Sequence, residues 1–191
     1  MRKAVYVIQR TEGSALLEFA IVLPLLVVFV VGIYDFSGAY NQKQKIEHSA
    51  QAAALVAGTA STGDMDESVT NPDSLQPTLA VVLNSLAGDG VLPQANQGTC
   101  QLPVGTGGVT NSGLVWTYTL SGCSSNPADN LVITINRGVV SGSAPATIST
   151  SVTVSFPYHW RFNSAIQLLF PGASYAATTN LQESATVHNQ M

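Results

Sequence analysis

RTEGSALLEFAIVLPLLVVFVVGIYDF, residues 10–36, decides how the chain is organised. From Ala15 to Ile33 only Glu18 and Pro24 interrupt an apolar run long enough to cross a bilayer. A carboxylate within lipid costs about 2.5–3.5 kcal/mol at a helix centre, so Glu18 is a functional candidate rather than part of an anchor. Arg2, Lys3 and Arg10 precede the run, while Lys43 and Lys45 follow it, the latter close to Glu47. The positive-inside bias puts the N-terminus in the cytoplasm and exports the rest. An uncleaved signal anchor accounts for the apolar length. A secretory signal peptide cut after Ser37-Gly38-Ala39 does not, because ordinary apolar signal cores run about 7–15 residues. A third reading, a cut on the cytoplasmic side after Gly13, uses Gly13, Ser14 and Glu18 together. It frees a positively charged amine on Ser14, which a neighbouring subunit can present to Glu18. Charge neutralisation between subunits then favours assembly and sets the axial register.

Gly13-Ser14-Ala15-Leu16-Leu17-Glu18-Phe19 resembles the processing motif of type IV prepilins, with cleavage after glycine and glutamate as the fifth mature residue. The continuation, through Leu-Pro-Leu, Gly-Ile-Tyr-Asp-Phe and an Ala-rich stretch ending at Gly58, resembles the TadE-like minor pilins (pseudopilins) of tight-adherence, or Flp, pili. The specific likeness covers residues 10–58. It implies a leader over residues 1–13 removed by a prepilin peptidase, a transmembrane and stem helix over 14–58, and an exported α+β head over 59–191. It also implies a subunit that helps assemble a pilus for surface adhesion. The partners would be other pilin and minor pilin subunits and an inner-membrane assembly platform, with Glu18, Phe19 and Pro24 serving assembly. The major pilins of such systems are much shorter, which favours a minor subunit. No Asp-x-Ser-x-Ser sequence supports the metal-dependent adhesion domain of the larger TadG-like members. A permanently anchored periplasmic binding or scaffold protein is the alternative, and a soluble domain released after Ala39 is a third.

Pro24 would cost about 3 kcal/mol or more in a soluble helix, but membrane helices tolerate proline where neighbours satisfy the freed carbonyl. The resemblance suggests a point where pilin helices loosen between bilayer and filament. Beyond the bilayer, Ile46, Ala50, Ala53 and Ala57 keep helical spacing, with Gly58 as the expected C-terminal cap. The small residues permit close packing against the head or neighbouring stems. His48 is expected at the surface.

Only 9% of the 191 residues are charged. Beyond Gly58 the basic residues are Arg137 and Arg161, against Asp64, Asp66, Glu67, Asp73, Asp89, Asp129 and Glu183. Nucleic-acid binding, which needs clustered Lys and Arg, is excluded on that balance. Cys100 and Cys123, the only cysteines, fit a disulfide in an oxidising compartment. Two buried thiols are the alternative, and two cysteines without nearby histidines do not complete a zinc site. No Gly-x-Ser-x-Gly elbow, His-Glu-x-x-His or triad spacing occurs, so neither catalysis nor a cofactor is expected.

Residues 59–74 are polar and read as a linker or loop. Asp64, Asp66 and Glu67 lack the remainder of a calcium loop and fit a solvated turn. PTLAVVLNSLAG places Leu79, Val82, Leu83 and Leu86 on one helical face, with Pro77 in the first turn and Gly88 as the stop. VGTGGVTNSG reads as a loop. Period-two alternation marks strands at Leu114, Trp116, Tyr118 and Leu120, at Leu131, Ile133 and Ile135, and at Ile148, Thr150, Val152, Val154 and Phe156. Ser149, Ser151, Thr153 and Ser155 fall on the wet side of the last. Pro157 is expected to break that strand. The aromatics Tyr158, His159, Trp160 and Phe162 fit core and edge positions, with a binding surface as the alternative. SAIQLLFPG reads as a helical turn, and SYAATTNLQESATV as a final strand. The expected fold is α+β and pilin-like, a long helix with an exported head of short helices and an antiparallel sheet.

Overall fold

The computed structural model describes residues 12–66, 68–102, 107–141, 147–162, 167, 172 and 178–189. Most of the leader over 1–13, Glu67 and nearly all of SAIQLLFPG lie outside the described residues, as does the start of the last expected strand. Helix α1 runs from Glu12 to Thr59 without interruption at Pro24. Helix α2 spans Gln76–Gly88, and five strands follow: β1 (Val109–Ser112), β2 (Val115–Leu120), β3 (Leu131–Ser141), β4 (Thr147–His159) and β5 (Thr178–His188). The strands form one antiparallel sheet in the order β1-β2-β3-β4-β5. The described residues fall into two compact units. One holds α1 up to Gly38 together with 160–162; the other holds the helix from Ala39, α2 and the whole sheet.

In the second unit the sheet has two unlike faces. Trp116, Tyr118, Leu120, Leu131, Ile133, Ile135, Val152, Val154 and Phe156 are buried on one face. They meet Ile46, Ala50, Ala53, Ala54 and Ala57 of α1 and Leu79, Val82 and Leu86 of α2 in one hydrophobic core. Alanines expose little bulk, so the helix axis can approach the sheet closely. The opposite face carries hydroxyls, with Thr110, Thr117, Thr134, Thr153 and Ser184 in register across all five strands. Helices on one face of an antiparallel sheet make this an α+β fold.

Several local expectations need correction. Gly58 is not a left-handed cap, since α1 continues to Thr59 and Gly58 does not have a positive φ. It is buried where an added Cβ would come 3.3 Å from Val187 on β5, so the residue serves close approach. The helix end is closed by Arg137 instead, whose guanidinium donates to the carbonyls of Ala57 and Ala60. A cation on the last carbonyls suits the helix dipole. Gly88 closes α2 as its last residue, while the left-handed position is Gly90, with φ 70°. There the Val91 and Leu92 amides both return to the Leu86 carbonyl, at 2.9 and 3.1 Å.

The stretch read as the loop VGTGGVTNSG contains β1. Ser112 pairs with Val115, and Gly113 (φ 60°) and Leu114 make the two-residue hairpin turn. A positive φ at the first turn position alone suits a type II′ turn, which matches strand twist. Leu114 therefore sits in the turn and is exposed, not on the core face of β2. Strand β4 passes through Pro157, which pairs with Asn180 of β5. Pairing with β3 ends at Val132 opposite Ser155, so the strand is an edge on that side at Pro157, where proline is tolerated. Ser149 is buried rather than wet, with its hydroxyl 3.0 Å from Nδ1 of His188. The register shift between Asn136 and Val139 sets two residues, Arg137 and Gly138, against Thr150, a β-bulge beside the buried arginine.

Residues 60–66 and 68–72 are a loop laid against the core, followed by a 3-10 turn, Asp73–Leu75, whose Leu75 is buried. The Trp116 indole donates to the Val69 carbonyl at 3.1 Å, and the Ser74 amide donates to Asp64 Oδ2 at 2.8 Å. Asp64 is thus half-buried and structural rather than part of a solvated turn, while Asp66 stays exposed and accepts from the Ser68 amide.

Candidate functional site

The first unit contains the residues that the sequence marks for processing and assembly. Gly13 and Ser14 lie in the first turn of α1. Glu18 and Phe19 follow one turn later, both exposed, and Pro24 is half-buried. Around them Leu16, Leu17, Ile21, Leu25, Phe29 and Ile33 are exposed, large and apolar. A helix apolar on every side is what a lipid solvent selects. The helix has the length and composition of a single membrane span, at a mean hydropathy of 2.8 over its best window.

Asp35, to which the sequence reading gave no separate role, is 2% exposed although it follows this exposed surface directly. The reason is the chain after β4. The Phe162 amide donates to Asp35 Oδ2 at 2.8 Å, across 127 residues of sequence. One turn along the helix, the Phe162 ring lies over Gly32. Trp160 meets Phe36 with ring centroids 5.2 Å apart and planes inclined at 59°, a separation and tilt typical of attractive aromatic pairs. Trp160 and Phe162 are therefore bound to the helix rather than buried in the sheet core. The signal for this clasp lay in the sequence as a second carboxylate ending the apolar run, flanked by aromatics. Its partner, however, could not be found by local spacing.

In the second unit, Cys100 and Cys123 form a disulfide, with Cα atoms 4.4 Å apart. It ties the segment after α2 to the β2–β3 loop. Asn96 Nδ2 reinforces that junction by donating to the carbonyls of Gly122 and Ser124 at 3.1 and 2.9 Å. The same loop carries Asp129, buried and accepting from the Ser124 hydroxyl at 2.8 Å. His159 Nε2 lies 2.6 Å from Asp129 Oδ2, and its Nδ1 lies 3.1 Å from the Thr178 hydroxyl. The sequence reading did not join these residues. The hydroxyl faces Nδ1 and the aspartate Nε2, the reverse of the ring-nitrogen roles in a serine-hydrolase triad. The cluster fastens the end of β4 to the start of β5. His48 is exposed, as expected, with Nδ1 3.7 Å from Asp89. No group of three or more potential metal ligands occurs among the described residues.

Residues 13–55 match the family model of TadE-like proteins. That TadE-like segment includes the Gly13-to-Phe19 motif, Pro24, the clasp residues Gly32, Asp35 and Phe36, and most of the buried alanines of the stem. It ends four residues before α1 does. No curated protein and no solved structure matches the chain.

Proposed function

We propose that the protein is a minor pilin of a tight-adherence pilus, inserted in the inner membrane, cut by a prepilin peptidase after Gly13 and incorporated beside other subunits through α1. The observation that carries this reading is the TadE-like segment itself, with an exposed Glu18 one turn beyond Ser14 on an apolar helix. Its partners are the peptidase, other pilin and minor pilin subunits and the assembly platform. The head lies in the periplasm, and the role is structural rather than catalytic. The continuity of α1 through Ala39, where the helix enters the head core, argues against release by a cut at that point. A permanently anchored scaffold remains the second reading, because the stem alanines pack in one core with the sheet of the same chain. N-terminal sequencing of the mature protein separates these readings. A start at Ser14 supports the pilin, an intact Met1 supports the fixed anchor, and a start at Tyr40 supports the soluble domain.

A further inference from the structure

At 1.5 Å per residue, about 20 residues cross about 30 Å of hydrocarbon, so a span beginning at Ala15 ends near Tyr34. The clasp therefore falls at the end of the span, on the head side. Trp160 and Phe162 are half-buried against the helix, and Arg161 between them is exposed. Val28, Phe29, Gly32, Ile33, Phe36 and Phe162 line one apolar groove that continues the exposed surface of the span. We propose that Trp160, Arg161 and Phe162 form a second membrane contact, seated in the phospholipid headgroup layer where α1 leaves the bilayer. This inference rests on the reading of α1 as a membrane span.

The three side chains divide the chemistry of that layer. An indole ring prefers the boundary, with its body against acyl chains and its N–H towards water. A guanidinium binds lipid phosphates with charge-assisted hydrogen bonds. Phe162 completes the wall of the groove with a ring that acyl chains can cover. A chain segment at this depth needs its backbone groups satisfied without water. Asp35 accepts the Phe162 amide, so one carboxylate is sheltered and one donor is satisfied together. Continuity with the spanning surface favours lipid as the occupant over a neighbouring subunit.

The test uses the full chain in nanodiscs of phosphatidylethanolamine and phosphatidylglycerol, one copy per disc, with brominated acyl chains as quenchers. Trp116 is fully buried in the sheet core, so the difference between the parent and Trp160→Phe isolates the Trp160 emission. Bromines placed high on the acyl chains should quench that component more strongly than bromines near the bilayer centre. Equal emission with and without bromine overturns the proposal, and leaves a neighbouring subunit as the partner of this surface. Stronger quenching by the deep bromines overturns the interfacial depth. Trp116→Phe, which leaves Trp160 as the sole indole, gives the same reading should Trp160→Phe misfold. Vesicle flotation of the unsubstituted chain separates the two claims. A chain that does not float contradicts the membrane span, whereas one that floats with an unquenched Trp160 contradicts this contact alone.

Discussion

The two halves of α1 belong to one continuous helix and solve opposite problems. Before Gly38 the helix carries large apolar side chains that stay exposed, from Leu16 at 72% to Phe36 at 66%. After Gly38 its buried face is mostly small, with Ala50, Ala53, Ala54 and Ala57 at 0% beside one large residue, Ile46. On the packed face the difference is chiefly one of size. Large side chains maximise contact with a solvent that is itself apolar, while small ones let a sheet approach the helix backbone. Hydrophobicity separates them as well, since the first half is apolar on every side whereas the second is amphipathic, with Asn41, Lys43, Glu47 and His48 exposed.

The largest effect expected from breaking this comparison lies in the exposed half. Glu18→Gln should leave insertion, cleavage after Gly13 and head folding intact, because it removes a charge from lipid and lies outside the head unit. Incorporation should fail, because a buried Ser14 amine without its partner costs about 3–5 kcal/mol, enough to lower assembly by orders of magnitude. Sheared pilus and membrane fractions are compared. Recovery of the variant in pili at the parent's level would sink the pairing.

The next effect lies wholly in the second unit. The bridge between Cys100 and Cys123 closes a loop of 23 residues and should contribute roughly 3 kcal/mol by restricting the unfolded chain. Cys100→Ser with Cys123→Ser should lower the denaturant midpoint of the head while membrane fractionation stays unchanged. Alkylation of the native, unreduced protein should label neither cysteine; labelling of both would contradict the bridge.

A sharper test exchanges size within the helix. Ala53→Leu should overpack the head core and cost about 1–3 kcal/mol in unfolding free energy. Leu26→Phe, in the exposed half, should leave head stability unchanged. Near-ultraviolet circular dichroism, which reports the packed Trp116 and Tyr118, follows both. Equal destabilisation by the two substitutions would mean that the halves are not energetically distinct.

Much of the fold was readable because its cues are local. Leu79, Val82 and Leu86 bury one side of α2 as their spacing demands, and Trp116, Ile133 and Val154 point inward because strands alternate. The missed elements depend on partners. Val109–Ser112 is polar and flanked by glycines, and it becomes a strand because β2 pairs with it. Gly58 looked like a cap because nothing in its neighbourhood announces Val187 or Arg137. Asp35 was legible as a carboxylate at the end of an apolar run, whereas its partner, the Phe162 amide, lies 127 residues away in sequence. The assembly motif, by contrast, is compact in sequence, and so it stood out.

The smallest expected effect concerns acid. Burial pushes the Asp64 carboxyl up, but hydrogen bonds from Ser74 outweigh it, and the net pKa lies below the ordinary value of 3.8. The folded protein therefore holds this proton less tightly than the unfolded chain. Asp64 contributes stability that is complete above the unfolded value and is lost as pH falls through the lower folded one. Asp66 is shifted the same way by the Ser68 amide, but it is exposed and anchors no buried segment. Asp64 instead holds the loop that Trp116 pins at Val69, so its protonation loosens a cover of the core. Asp64→Asn should flatten the acid limb of head stability as pH falls through and below the ordinary value of 3.8, and Asp66→Asn should flatten it less. Insertion of the first half of α1 should not follow either substitution, since neither residue belongs to that unit. Denaturant midpoints measured over this fall in pH decide it: an acid slope unchanged by Asp64→Asn removes Asp64 as the acid-sensitive tether of the loop.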